Sequence, residues 1–123
     1  MKTIQTKEDV IYLVDSFYEK VNNDDILSPI FNDFAKVDWE THMPNMYAFW
    51  SSLLLGEVGY SGRPFPKHLS LPIKNEHFKR WLHLFHQTVN ENFHGELAEE
   101  AKKRASNIAQ IFSFKIQSIK GNL

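Results

Sequence analysis

The chain has 123 residues, a formal net charge of −1 and no cysteine, so disulfides and thiolate metal sites are excluded. The near balance of 14 basic and 15 acidic residues argues against a partner bound by phosphate neutralisation, so we expect no nucleic acid. No apolar run approaches the roughly 20 residues of a membrane span, and the first residues are too polar for a signal peptide; we therefore expect one cytoplasmic domain over residues 1–123, without a membrane partner.

Apolar residues recur at helical spacing near the start of the chain and predict a helix over residues 7–22. Thr6 and Asp9 have the spacing of a capping box, with aspartate in place of the usual glutamate. Tyr18 lies on the apolar stripe, so its hydroxyl points inward and requires a hydrogen-bond partner. In an ordinary core that partner would be a backbone carbonyl.

A second helix is predicted over residues 39–55, with Asp38 as its N-cap. Before it, the proline-containing stretch 26–31 predicts a short helical turn that brings Phe31 to one edge of the core. Pro44 lies inside the second helix, and its missing N–H predicts a bent or tightened first turn.

His42 is the polar residue on the otherwise apolar stripe of the second helix. It is either a core histidine satisfied by backbone or water, or an imidazole that faces a pocket. Its place just before Pro44 predicts more local motion than in the middle of a helix. We therefore expect His42 to gate or tune a pocket more than it anchors a ligand.

Residues 64–72 contain three prolines, which forbid a long regular helix and predict a stiff loop or short turns. His68 lies in the middle of this stretch, between apolar neighbours. Such a segment can hold an imidazole against a metal or a haem as an axial ligand, and it can equally be a surface connection with an unligated histidine.

Two further helices are predicted over residues 76–93, capped by Asn75, and 96–119. Trp81 lies in the middle of the apolar stripe of the third helix, and its indole N–H requires an acceptor. No segment shows convincing strand alternation, so the predicted fold class is all-α.

Tyr18, His42 and Trp81 each place one hydrogen-bonding group on an apolar face, while His68 stands on a separate rigid segment. The 10 phenylalanines, 4 tyrosines and 3 tryptophans suit either an aromatic core or a pocket for a large, flat, apolar ligand. One axial nitrogen with donors on the other side is the arrangement that an oxygen-binding haem requires. Taken singly, each of these residues also has an ordinary structural explanation.

Six motifs follow one another along nearly the whole chain: Phe17-Tyr18-Glu19-Lys20-Val21, Leu27-x-Pro29-x-Phe31, Trp39-x-x-His42 leading to Phe49-Trp50, Tyr60-x-Gly62-x-Pro64-x-x-x-His68-Leu69, Phe78-x-x-Trp81-Leu82-x-Leu84-Phe85 and Arg104-Ala105-x-x-Ile108-Ala109-x-x-Phe112. With these motifs the chain resembles the truncated haemoglobins of the third group, short bacterial globins. The resemblance implies a globin-like two-over-two helical sandwich. Six linked motifs in order are far more specific than any one of them.

The resemblance also implies a cofactor, haem b (iron protoporphyrin IX), with His68 as the proximal iron ligand. It implies Tyr18, His42 and Trp81 as distal residues that stabilise a ligand. The walls of the haem pocket are implied to be Phe31, Met46, Phe49, Trp50, Phe78 and Phe112. We further assign Lys67, with Arg63 or Arg80, to the haem propionates.

The implied partners are small ligands, namely O₂, CO, NO or peroxide. Three donors exceed what reversible O₂ carriage requires, and NO dioxygenase or peroxidase-type detoxification stays open as an activity. Turnover of that kind needs an electron donor to return ferric iron to ferrous, which the sequence leaves unidentified. We expect a monomer.

Two alternatives remain. The first is a non-haem metal site at His77, His83 and His86, of which the last two share a helix face. The apolar stripe of that helix, however, places them largely on the solvent side. The second is a globin-like domain that has lost haem and serves as a sensing or binding module. A Soret absorption band separates haem binding from both.

Overall fold

The computed structural model describes residues 2–34, 36–56 and 74–121. They form four α-helices and one π-helical turn: α1 (Lys7–Asn22), the turn Ile30–Phe34, α2 (Trp39–Leu55), α3 (Asn75–Asn92) and α4 (Glu96–Gly121). Within these residues there is no strand, only an isolated parallel bridge between Lys2 and Phe93, so the all-α prediction is confirmed. None of the described helices is both long and apolar enough to cross a membrane.

The helices pack as two pairs. α1 lies against α2, α3 lies against α4, and contacts between α1 and α3 join the pairs into the predicted two-over-two sandwich. The largest fully buried side chains come from α1 and α3, with Phe17 and Phe85 in edge-on contact at a centroid distance of 5.2 Å. Small residues let α4 approach α3 closely, as its alanines predict: Ala98, Ala101, Ala105 and Ala109 are all buried.

The start of α1 is the predicted capping box. The Thr6 hydroxyl accepts from the backbone N–H of Asp9, and the Asp9 carboxylate accepts from the N–H of Thr6 at 3.1 Å and of Gln5 at 2.9 Å. Lys2 adds an ion pair to Asp9 at 2.9 Å. The Lys2 ammonium and these backbone donors together lower the pKa of Asp9 from 3.8 to about 2.

Asp9 is therefore expected to make the fold sensitive to acid. Because its pKa is lower in the folded chain, the carboxylate contributes stability above its unfolded pKa, and that contribution is lost as the pH falls toward 2. Asp9→Asn should lower the free energy of unfolding by about 1 kcal/mol at pH 7, a value reduced by the exposure of Lys2 to solvent. Urea titrations at several pH values measure it, with the neighbouring exposed Glu8→Gln as control. A constant deficit from pH 7 to pH 2.5 would contradict this origin.

α2 begins at the predicted N-cap, where the Asp38 carboxylate accepts from the N–H of Glu40 at 3.2 Å. The Asp38 carbonyl oxygen accepts from both Thr41 and His42, at 3.1 and 2.8 Å, a pattern that the starts of α1 and α3 share. The helix continues through Pro44 and ends at Gly56, whose positive φ of 71° is the left-handed conformation of a C-cap glycine.

α3 starts one residue earlier than predicted, and Asn75 is not its cap. The capping residue is Lys74, whose backbone N–H donates to Nδ1 of His77 at 2.9 Å. The Asn75 carboxamide oxygen instead accepts from the hydroxyl of Ser113 on α4. The Asn75 side chain thus makes a tertiary contact instead of the capping hydrogen bond that the local sequence pattern predicts.

An ion pair ties the turn after α1 to α3. The Arg80 guanidinium donates to the Asp24 carboxylate through Nε and Nη2, both at 2.7 Å. The other carboxylate oxygen of Asp24 accepts from the N–H of Ile26 and of Leu27 at 3.2 and 3.0 Å. The Asp24 side chain is 5% exposed, so this single carboxylate holds both the turn and the adjacent helix.

Candidate functional site

Tyr18 lies at the centre of an aromatic cluster on the inner side of α1. Its ring contacts those of Phe17 at 4.9 Å, His42 at 5.1 Å, Trp39 at 5.6 Å and Phe31 at 6.0 Å, all edge-on. The residue is buried, as its place on the apolar stripe predicts. The structure therefore brings together side chains from α1, the π-helical turn and α2.

Burial removes the Tyr18 phenol from water. This disfavours the phenolate and raises the pKa of Tyr18 well above its ordinary value of 10. Like any tyrosine at physiological pH, Tyr18 is neutral and can donate its O–H. The surroundings thus suit Tyr18 to donate a hydrogen bond to a polar ligand.

His42 is half-buried in the first turns of α2. Its imidazole stands edge-on to Tyr18 at 5.1 Å and 88°, to Trp39 at 5.4 Å and 89°, and to Phe31 at 6.4 Å and 69°. Its Nε2 atom is buried. The structure therefore places the His42 imidazole inward, in contact with three aromatic rings.

Trp81 is half-buried on α3. Its indole stands edge-on to Phe17 at 5.5 Å and stacks on Phe85 at 5.8 Å with an interplanar angle of 18°. Phe17 thus lies between Trp81 and Tyr18, in contact with both. The predicted polar trio is therefore held by one aromatic cluster, with Tyr18 and His42 in direct ring contact and Trp81 one ring further away.

The predicted wall residues fall into two groups. Trp50 is a core residue, 2% exposed, with its indole stacked on Phe85 at 4.7 Å. The others are half-buried apolar side chains on α2, α3, α4 and the π-helical turn: Phe31, Met46, Phe49, Phe78 and Phe112. His68 and Lys67, with Arg63, lie outside the described residues, and Arg80 pairs with Asp24.

The alternative metal site gains no support from the geometry. The Nε2 atom of His86 lies 3.2 Å from both the Lys102 carbonyl oxygen and the Ser106 hydroxyl, which ties this ring to α4. His83 is exposed, and His77 accepts the α3 capping bond. In the part of the chain that the structure describes, no three histidines or carboxylates come close enough to hold a metal ion.

Sequence reasoning placed Trp39 on the apolar stripe of α2 but did not assign it to the site. In the structure its ring contacts Tyr18 and His42, and its indole N–H donates to the carboxamide oxygen of Asn32 at 2.9 Å. The signal that could have found it is the spacing Trp39-x-x-His42, because residues three apart lie on the same face of a helix.

Comparison with known proteins identifies the family of this chain. The family model for bacterial-like globins matches residues 2–114. The chain is 38% identical to the group 3 truncated hemoglobin ctb of Campylobacter jejuni over 110 residues, which are 86% of this chain and 87% of that protein. It is also similar to the crystal structure of a group III truncated hemoglobin from Campylobacter jejuni, with a TM-score of 0.84 and 37% identity over 94% of this chain and 95% of the other.

The chain therefore belongs to the bacterial-like globins, and among them to the truncated haemoglobins of the third group. Haem binding is a general property of globins, and membership of this family implies it in general terms for this chain.

Proposed function

We propose that this protein binds haem b through His68 and holds O₂ and other diatomic ligands beside Tyr18, His42 and Trp81. The observation that carries the proposal is the buried Tyr18 in ring contact with His42 inside an apolar cluster. Tyr18 brings an O–H donor and His42 an imidazole to one apolar site, where a hydrogen bond to a polar ligand is stronger than in water.

The described residues fit a large planar apolar cofactor. Helices α2 and α3 carry partly buried aromatic and aliphatic side chains that pack against the core: Met46, Phe49, Leu53, Trp81 and Leu82. Ligand pockets are lined mainly by side chains of these types.

Haem supplies a reducible iron that binds diatomic molecules, and the residues of this chain decide how such a ligand is held. The Tyr18 hydroxyl and the Trp81 indole N–H donate hydrogen bonds to the polar end of the ligand. The rings of Phe31 and Phe17 exclude water around these donors, which strengthens each bond. His42, on the same cluster, adds a third donor.

The three proposed donors also bear on what the protein does with a bound ligand. Three donors around one ligand exceed the need of reversible carriage and suit polarisation of O–O or N–O bonds, so detoxification of NO or peroxide is the second candidate function. This detoxification requires an external electron donor.

We propose a monomeric cytoplasmic protein with one domain over residues 1–123.

The experiment that tests haem binding is an absorption spectrum of the purified protein in its oxidised form, its reduced form and its reduced form with CO. A Soret band with one haem per chain supports the proposal. A protein that takes up no haem when reconstituted with it would refute the proposal.

Loss of a distal donor is expected to speed O₂ release. Tyr18→Phe and Trp81→Phe each remove one hydrogen bond to a partly charged acceptor, which costs roughly 1.5–3 kcal/mol, or about one to two decades in the release rate. Stopped-flow measurement of O₂ release tests both variants. Tyr12→Phe is the matched control, since Tyr12 is on the same helix with its side chain 56% exposed. Wild-type release rates in both variants would exclude this pair of donors.

A further inference from the structure

Two side-chain hydrogen bonds join three segments around the distal cluster. Trp39 Nε1 donates to the Asn32 carboxamide oxygen at 2.9 Å, and Asn32 Nδ2 donates to the Asn22 carboxamide oxygen at 3.0 Å. Asn22 is the last residue of α1, Asn32 lies in the π-helical turn and Trp39 is the first residue of α2. The pair of bonds therefore fixes the start of α2 relative to α1 through the turn between them.

Trp39 is also the ring that lies beside His42 on the same helix. Its indole meets the imidazole edge-on at 5.4 Å, meets Tyr18 at 5.6 Å and stacks on Phe31 at 5.9 Å with an interplanar angle of 26°. Tyr18, Phe31 and Trp39 contact one another and pack together against one side of the imidazole. Movement of His42 out of the cluster therefore breaks its ring contact with Trp39, so the position of Trp39 affects how firmly His42 is held.

Trp39 differs from the other two rings because a side-chain hydrogen bond holds it. Tyr18 is buried in the core, whereas Trp39 and Phe31 are both only half-buried. Stacking on Phe31 leaves the indole free to tilt or slide unless a directional bond fixes it. The bond from Nε1 to Asn32 supplies that direction.

We propose that Trp39, tethered by Asn32, is a positioning residue that holds His42 inside the distal pocket and thereby limits the rate of ligand entry. This rests on the proposed function, because the pocket in question is the proposed ligand pocket. Trp39 itself contacts His42 and Tyr18, and it acts on the ligand only through them. Release of the tether populates a conformation in which the imidazole swings outward.

The kinetic test compares CO association in the wild type with Asn32→Ala, Trp39→Phe and the double variant. A neutral hydrogen bond of ordinary strength biases a two-state equilibrium about five-fold, so each single variant should bind CO up to about five-fold faster. Trp39→Phe keeps an aromatic ring but lacks the N–H. Because both substitutions remove the same bond, the double variant should be no faster than the single ones.

Two controls separate the tether from general loosening. Asn32→Asp keeps the acceptor for Trp39 but loses the donor to Asn22, so it should accelerate CO association less than Asn32→Ala does. Asn90→Ala removes an exposed carboxamide on α3 that accepts from Lys102 at 2.8 Å, and it should leave CO association unchanged. Equal acceleration by Asn32→Ala and Asn32→Asp, or fully additive effects in the double variant, would overturn the proposal.

A second readout requires no ligand kinetics. In the ¹⁵N NMR spectrum the indole N–H signal of Trp39 is identified by its loss in Trp39→Phe, and its hydrogen exchange should speed up about five-fold in Asn32→Ala. Unchanged exchange would show that Asn32 does not hold the indole.

Failure of the proposed function and failure of the role of Trp39 give different results. If the wild type forms no CO complex, the proposed function fails together with the role of Trp39 in ligand entry. If the wild type binds CO and the variants bind it at unchanged rates, only the role of Trp39 is overturned.

Discussion

His68→Ala is expected to yield a protein that folds but retains little haem. The axial bond is the one covalent attachment proposed between chain and iron, and even loss of a partner behind a metal ligand weakens metal sites roughly 10–100-fold. Haem content per chain after gel filtration, measured from the Soret band, should fall at least about ten-fold. Added imidazole should restore a band in the variant, since it can occupy the space of the missing side chain.

His83→Ala is the matched control for this experiment. It removes an exposed imidazole from α3 and should keep full haem content and the wild-type spectrum with CO. If His68→Ala retains one haem per chain and an unchanged CO spectrum, another residue is the proximal ligand. If His83→Ala loses haem as well, the loss in His68→Ala does not identify His68 as the axial ligand.

Asp24→Ala is expected to be the most destabilising single substitution outside the hydrophobic core. It leaves the Arg80 guanidinium without its carboxylate and removes the acceptor of the Ile26 and Leu27 N–H groups. Breaking a buried ion pair costs roughly 3–5 kcal/mol, and the 39% exposure of Arg80 lowers this to about 2–3 kcal/mol. The free energy of unfolding in urea, followed by circular dichroism, measures it.

The exposed pair of Arg104 and Glu100 on α4 is the control for that measurement. Its atoms approach to 2.8 Å, but the Glu100 carboxylate side chain is 36% exposed, whereas that of Asp24 is 5% exposed. Glu100→Ala should therefore cost no more than about 0.5 kcal/mol. A cost for Asp24→Ala equal to that for Glu100→Ala would mean that the buried pair does not stabilise the fold.

The helices could be predicted from the sequence because each has a complete apolar stripe and, at most ends, a residue that caps it. The capping box of Thr6 and Asp9 and the N-cap Asp38 are short-range patterns, and the structure confirms both. The prediction was wrong at Asn75, whose side chain bonds to Ser113, 38 residues away. A local sequence pattern cannot show that a residue far away in the chain, here Ser113, bonds to the same side chain.

The sequence could predict which residues form the site, but not how they contact one another. Helical spacing places Tyr18 and His42 on inward faces, but their ring contact depends on how α1 crosses α2, which no local pattern specifies. The same limit applies to Arg80, which the sequence offered to haem propionates and which the fold pairs with Asp24, 56 residues earlier in the chain. Asn32 gave no signal, because an asparagine in a turn has an ordinary local explanation.

The π-helical turn at Ile30–Phe34 makes the site sensitive to chain length as well as to side-chain chemistry. A π-helical turn holds one residue more per turn than an α-helix, and Lys36, with a φ of 50°, completes the change of direction before α2. Deleting one residue here would let the backbone revert to α-helical pairing and rotate all that follows by about 100°. Phe31 and Trp39 would then point away from each other, although both of these side chains would still be present. Among related chains, conserved spacing across this turn would therefore be as informative as conserved residues.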